Sequence, residues 1–168
     1  VPSLTFTASA EVIRYVGADP VFVDVDPDTL LMDLTKVAGL LESEEGIKAI
    51  VCVHFGGQPV QLDGEGGLLN LCEKHDVKLI SDAAHAFPSR DTYGPVGRLG
   101  DVTCFSFYAN KTITSGEGGM LVTNNDDIAQ RVKMMRLHGI DRDVWDRFNG
   151  SRSSAWVYDV KAPGFKYN

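Results

Sequence analysis

Apolar residues fall in short β-rich runs along this chain, and between the runs their spacing changes to that of amphipathic helices. Pro20–Val25, Ile47–Phe55, Val77–Ser81, Val102–Phe107 and Met120–Thr123 read as five strands. In the first three, apolar residues scarcely alternate with polar ones, which predicts strands buried on both faces. Ala8–Tyr15, Leu34–Glu42, Leu68–His75 and Asp126–His138 read as helices. In the last of these Ile128, Val132 and Met135 recur on one face, Asn125 is placed to cap the start, and Gly139 follows the end. The alternation predicts an α/β fold, with a mostly parallel central sheet and helices on both faces. Asp141 to Ala162 is polar and reads as a long loop.

Composition narrows the picture modestly. The 168 residues suffice for one core. With 23 Asp and Glu against 16 Lys and Arg, the net charge of -7 repels a polyphosphate backbone. Nucleic acid is therefore not an expected partner. Cys52, Cys72 and Cys104 form an odd set without metal-type spacing, consistent with reduced thiols and a cytoplasmic location. No apolar run approaches the ~20 residues of a membrane span, and no secretion signal is visible. Asp82 and His85 lack the further close ligands that would make a metal site. Gly116-Glu117-Gly118-Gly119 lacks the Lys-Ser/Thr of a phosphate-binding loop and reads as a turn between strands.

Two charged residues fall at the carboxyl ends of strands, where ligands gather in open α/β sheets. Asp82 follows Val77–Ser81, and Lys111 follows the run ending at Tyr108. Singly, such an Asp also serves as a helix cap and such a Lys as a solvated charge. Together they meet the needs of pyridoxal phosphate: an amine to join its aldehyde and a carboxylate to hold its ring nitrogen protonated. Ser106, on the strand leading to Lys111, offers a hydroxyl for the phosphate.

Asp82-Ala-Ala-His85-Ala, the run from Phe105 to Lys111 and Gly116–Met120 resemble the DegT/StrS group of sugar aminotransferases, which have the aspartate-aminotransferase (fold type I) architecture. Pro2–Thr7, Val21–Pro27, His54–Pro59, Arg136–Gly139 and Gly164–Asn168 are similar to further segments of that group, in the same order. By that resemblance, residues 1–168 are the central part of the cofactor-binding large domain, with an N-terminal segment and a small C-terminal domain lying outside them. Lys111 is then the residue that carries the cofactor, and Asp82 the partner of the ring nitrogen. His85 lies near the ring, Ser106 binds the phosphate, and Phe6 stacks on the ring face; a core position is the alternative for Phe6. The group often has Asn where Lys166 stands, reaching the phosphate of a neighbouring subunit, and Lys166 or Asn168 takes that part here.

The activity implied is amino transfer from an amino acid, glutamate, to a nucleotide-linked keto sugar in a homodimer with a shared site. Two rivals stand beside it. Related sugar dehydratases replace the cofactor lysine with histidine, against which Lys111 argues. A non-catalytic regulatory protein retaining the fold would not need the intact pair Asp82 and Lys111.

Overall fold

The computed structural model describes residues 1–141 and 158–167. The chain divides into two compact units, Val1–Val122 and Thr123–Asn168. The loop reading for Asp141 to Ala162 falls mostly on residues outside the described ones, and Asn168 lies outside them as well.

The first unit is built on a four-stranded sheet. Its strands are β1 (Ala49–Val53), β2 (Lys78–Asp82), β5 (Val102–Ser106) and β6 (Gly119–Val122), adjacent in that order. β1, β2 and β5 run parallel, and β6 is antiparallel to β5. β3 (Arg90–Asp91) and β4 (Gly94–Pro95) form a separate two-stranded ladder. The α/β class and the mostly parallel sheet are as the periodicity predicts. The register sets Val53 and Asp82, the last residues of β1 and β2, level with Cys104 in the middle of β5.

Local signals account for most helix boundaries. α1 spans Ala8–Tyr15, α2 Leu34–Ser43 and α3 Leu68–His75. Asp33 caps α2, its carboxylate accepting from the backbone N–H groups of Thr35 and Lys36. α3 stops where Asp76 turns left-handed at φ 51°. The N-cap of α1, Thr7, makes no side-chain capping bond. The main core joins Val37 and Leu41 of α2, Leu68 and Cys72 of α3, and Ile50, Cys52 and Leu79 of the sheet. A second cluster gathers Ala83, Ala86 and Phe105 against Phe87 and Phe107.

The run Pro20–Val25 does not form a strand of this sheet. Val23 bridges Pro2, and Val25 bridges Met32, one residue at a time. Val21 and Phe22 are exposed, not buried as their apolar character predicts. β propensity describes fit to a pleated surface, and only a partner strand converts it into a ladder. β1 is buried through its last four residues, whereas β2 alternates, with Leu79 and Ser81 fully buried and Lys78 exposed.

In the second unit α4 (Asp126–Met135) begins at Asn125, whose side chain accepts from Ile128 N–H at 3.1 Å. The helix stops three residues short of its expected end, because Leu137 to Gly139 turn away to bond the closing segment. His138 N–H donates to Phe165 and Tyr167 N–H to Arg136. Among the described residues no helix is long and apolar enough to cross a membrane.

Candidate active site

An open groove of about 1530 Å³ lies along the first unit, and its polar end is at the carboxyl ends of β1, β2 and β5. Phe6, Asp82, His85, Ser106 and Lys111 all border it. Lys166 belongs to the second unit, where its backbone bridges Leu137.

Asp82 is the last residue of β2, half-buried and held on every side. Its backbone carbonyl accepts from His54 N–H at 3.0 Å, and Ala83 N–H donates to the carbonyl of Cys104 at 2.8 Å. The carboxylate receives two donors: Ser9 Oγ reaches Oδ2 at 2.7 Å, and Ala84 N–H reaches Oδ1 at 3.0 Å. Thr5 Oγ1 lies 2.7 Å from Ser9 Oγ. Asp82 therefore caps the turn that follows it, as the simplest reading of a strand-end Asp allows, and also faces the groove.

The turn after Asp82 is wedged in place by the segment after β1. Phe55 meets His85 edge to face at 6.3 Å between ring centroids, and Ser89 Oγ donates to the carbonyl of Gly57 at 2.7 Å. Gly57 has φ 86°, and a Cβ there would lie 2.8 Å from the His85 carbonyl oxygen, so only glycine fits without displacement. His85 itself is exposed on the groove.

Lys111 sits on the loop between β5 and β6. Phe107 pinches the base of that loop, donating to the carbonyl of Gly118 and accepting from Ser115 N–H and Thr114 Oγ1. Within it, Lys111 N–H closes a turn onto the carbonyl of Tyr108. Among the described residues the Lys111 ammonium has no ion-pair or hydrogen-bond partner. Ser106 Oγ accepts from Tyr108 N–H at 3.3 Å, which leaves its proton to donate. Phe6 is 74% exposed in this chain and borders the groove.

Ser9, Thr5 and His54 carry no role in the sequence reading. Ser9 is buried, on a helix whose spacing gives no hint of a carboxylate partner 73 residues away. His54 is 1% exposed, and its Nδ1 accepts from Val60 N–H at 3.0 Å. Burial pushes its pKa down to about 4, so the ring is neutral near pH 7 and carries its proton on Nε2. That buried N–H has no hydrogen-bond partner among the described residues. Burial also raises the thiols of Cys52, to about 12, and Cys72, to about 11. Cys104 is exposed on the groove, with its pKa raised by burial of its surroundings and by Asp82.

Asp82 at the end of β2 and Lys111 on the loop after β5 thus border one groove, at the end of the sheet where α/β folds gather ligands. Residues 1–168 match the model of the DegT/DnrJ/EryC1/StrS aminotransferase family, and the chain belongs to that family. It is 39% identical over 165 residues to the spore coat polysaccharide biosynthesis protein SpsC of Bacillus subtilis, covering 98% of this chain and 41% of SpsC. Among solved structures it is similar to Spr1654 of Streptococcus pneumoniae, described as a sugar aminotransferase, in its PMP form. The TM-score is 0.84 at 30% identity, over 99% of this chain and 45% of that one. It is also similar to DesI, solved in the presence of its TDP-sugar product, with TM-score 0.77 at 32% identity, over 99% of this chain and 38% of that one. The chain thus spans less than half the length of these relatives.

Proposed function

We propose that this chain forms the cofactor-holding part of a pyridoxal-phosphate-dependent sugar aminotransferase, in which Lys111 joins the cofactor and Asp82 pairs with its ring nitrogen. The observation that carries this reading is the sharing of one groove by the Lys111 ammonium, which has no partner among the described residues, and the anchored Asp82 carboxylate. The donor set fits the cofactor: Lys111 for its aldehyde, Asp82 for its ring nitrogen, the exposed Phe6 for its face and the Ser106 hydroxyl for its phosphate.

When bound, pyridoxal phosphate supplies an electron sink for charge developing on the amino-acid carbon. The protein supplies the rest. Asp82, held by Ser9 and Ala84, would set a fixed negative charge beside the ring nitrogen and so favour its protonated form. Lys111 Nζ would hold the cofactor through its aldehyde and, as a free amine, would take the proton from the substrate carbon and return it. Ser106 would hold the phosphate and Phe6 would lie against the ring face, so that the cofactor would be oriented relative to Lys111.

Glutamate as amino donor, and a nucleotide-linked keto sugar as acceptor, complete the reading. The sugar-aminotransferase description of Spr1654 and the TDP-sugar product of DesI support the acceptor class. A homodimer, with Lys166 or Asn168 of a second copy reaching the phosphate, belongs to the same proposal. The direct test is borohydride reduction of the cofactor-loaded full-length protein, followed by peptide mass spectrometry. The cofactor should be fixed on Lys111. A label on another lysine, such as Lys36 or Lys74, would refute the assignment.

A further inference from the structure

Ser9 links two parts of the groove that sequence separates widely. Its hydroxyl has one proton, and that proton goes to Asp82 Oδ2 at 2.7 Å. The 2.7 Å contact between Thr5 Oγ1 and Ser9 Oγ must then be donated by Thr5. The result is a directed chain from Thr5 through Ser9 to the Asp82 carboxylate. Hydrogen bonds pointing one way polarise each other, and the last of these ends on a charge, where such bonds are strongest. Ser9 is 4% exposed, so water does not readily replace it.

The same chain holds the aromatic wall. Phe6 follows Thr5, and its carbonyl accepts from Ser9 N–H at 3.2 Å. Thr7 makes no side-chain capping bond at the start of α1, and the bond from Ser9 to Asp82 ties that first turn to the end of β2. Phe6 and Asp82 both border the groove, and Ser9 bonds the segment of one to the side chain of the other.

We infer that Ser9 is a positioning residue: with Thr5 behind it, it orients the Asp82 carboxylate toward the ring nitrogen of the bound cofactor and registers Phe6 against the same ring. This rests on the reading of the groove as a pyridoxal-phosphate site. Ser9 does not itself touch the ring, so its effect must pass through Asp82 and Phe6.

The test is a double-mutant cycle in the full-length protein, read as the cofactor dissociation constant by absorbance titration, with kcat and KM as a second readout. Ser9→Ala should weaken cofactor binding by about ten-fold, the scale of one charge-assisted hydrogen bond. Ser9→Thr keeps the hydroxyl and should recover most of that loss. Thr5→Val, which removes only the donor behind Ser9, should cost less than Ser9→Ala. With Asp82→Asn already present, Ser9→Ala should change binding by less than about two-fold, because the charge it serves is gone.

An equal loss in both backgrounds would show a merely structural serine, and no loss in the unmodified background would show an idle one. Either overturns the inference and leaves the aminotransferase reading standing. If the unmodified protein takes up no cofactor at all, the reading of the groove falls, and the role of Ser9 with it.

Discussion

Gly57 packs its α-carbon against the backbone carbonyl of His85, so closely that a Cβ would lie 2.8 Å from that oxygen. The contact clamps the segment after β1 onto the turn after β2. The turn holding Asp82 and His85 is thus braced by Gly57 on one side and by Ser9 on the other.

Gly46 has the same φ, 86°, but open space where a Cβ would stand, and so separates strain from collision. Gly46→Ala should cost about 1–2 kcal/mol, from the left-handed backbone alone. Gly57→Ala should cost about 1–3 kcal/mol more, because a backbone carbonyl must move. Urea denaturation of the two variants measures the difference. Equal midpoints at equal slopes would mean that the Gly57 contact is not tight in solution.

Asp82→Asn keeps the side chain's size and its place between Ser9 and Ala84 but removes its charge. Cofactor should remain detectable by absorbance, while the transamination rate falls at least ~100-fold, about 2.7 kcal/mol of barrier. His85→Ala should be milder, since that side chain supplies neither the amine nor the ion pair. Near-normal turnover in Asp82→Asn would remove Asp82 from its proposed role.

The three thiols should separate under iodoacetamide at mildly alkaline pH. Cys52 and Cys72 are buried, with thiols pushed up to about 12 and about 11, and should stay unmodified while the protein is folded. Cys104 is exposed on the groove beside Asp82, and should react first, though slowly because its own pKa is raised. Bound pyridoxal phosphate should protect it. Mass spectrometry with and without cofactor decides: unprotected alkylation of Cys104 in the loaded protein would place the cofactor elsewhere.

His54 should make the fold acid-sensitive. Its folded pKa, about 4, lies below the ordinary 6.5. Between those values the unfolded chain binds a proton that the native state does not, so stability falls as pH drops through 6.5 toward 4. The loss between pH 7 and pH 5 from this one group should be about 2 kcal/mol. His54→Asn keeps an acceptor near Val60 N–H but cannot titrate. Its stability, followed by urea denaturation, should lose less over the same interval. Parallel curves for the two proteins would mean that His54 protonates freely in the native state.

Most of the helices and sheet strands, and the candidate residues Asp82 and Lys111, were legible in the amino-acid sequence. Ala8–Tyr15 and Leu68–His75 are helices over the spans that their periodicity predicts, and Asn125 caps α4, because caps and apolar stripes act within a turn or two of chain. The four sheet strands were legible as apolar runs, and Asp82 and Lys111 stood out by falling just after two of them. Tertiary structure decided the rest. Whether Pro20–Val25 joins a sheet depends on a partner strand, and it finds only single bridges to Pro2 and Met32. The antiparallel direction of β6 depends on how the Lys111 loop folds back at Phe107. The bond from Ser9 to Asp82 spans 73 residues, and the neutral His54 exists only because the core closes over its ring. Such relations carry no local signal, because a hydrogen bond across that distance depends on where the whole chain has folded and not on the residues beside either end.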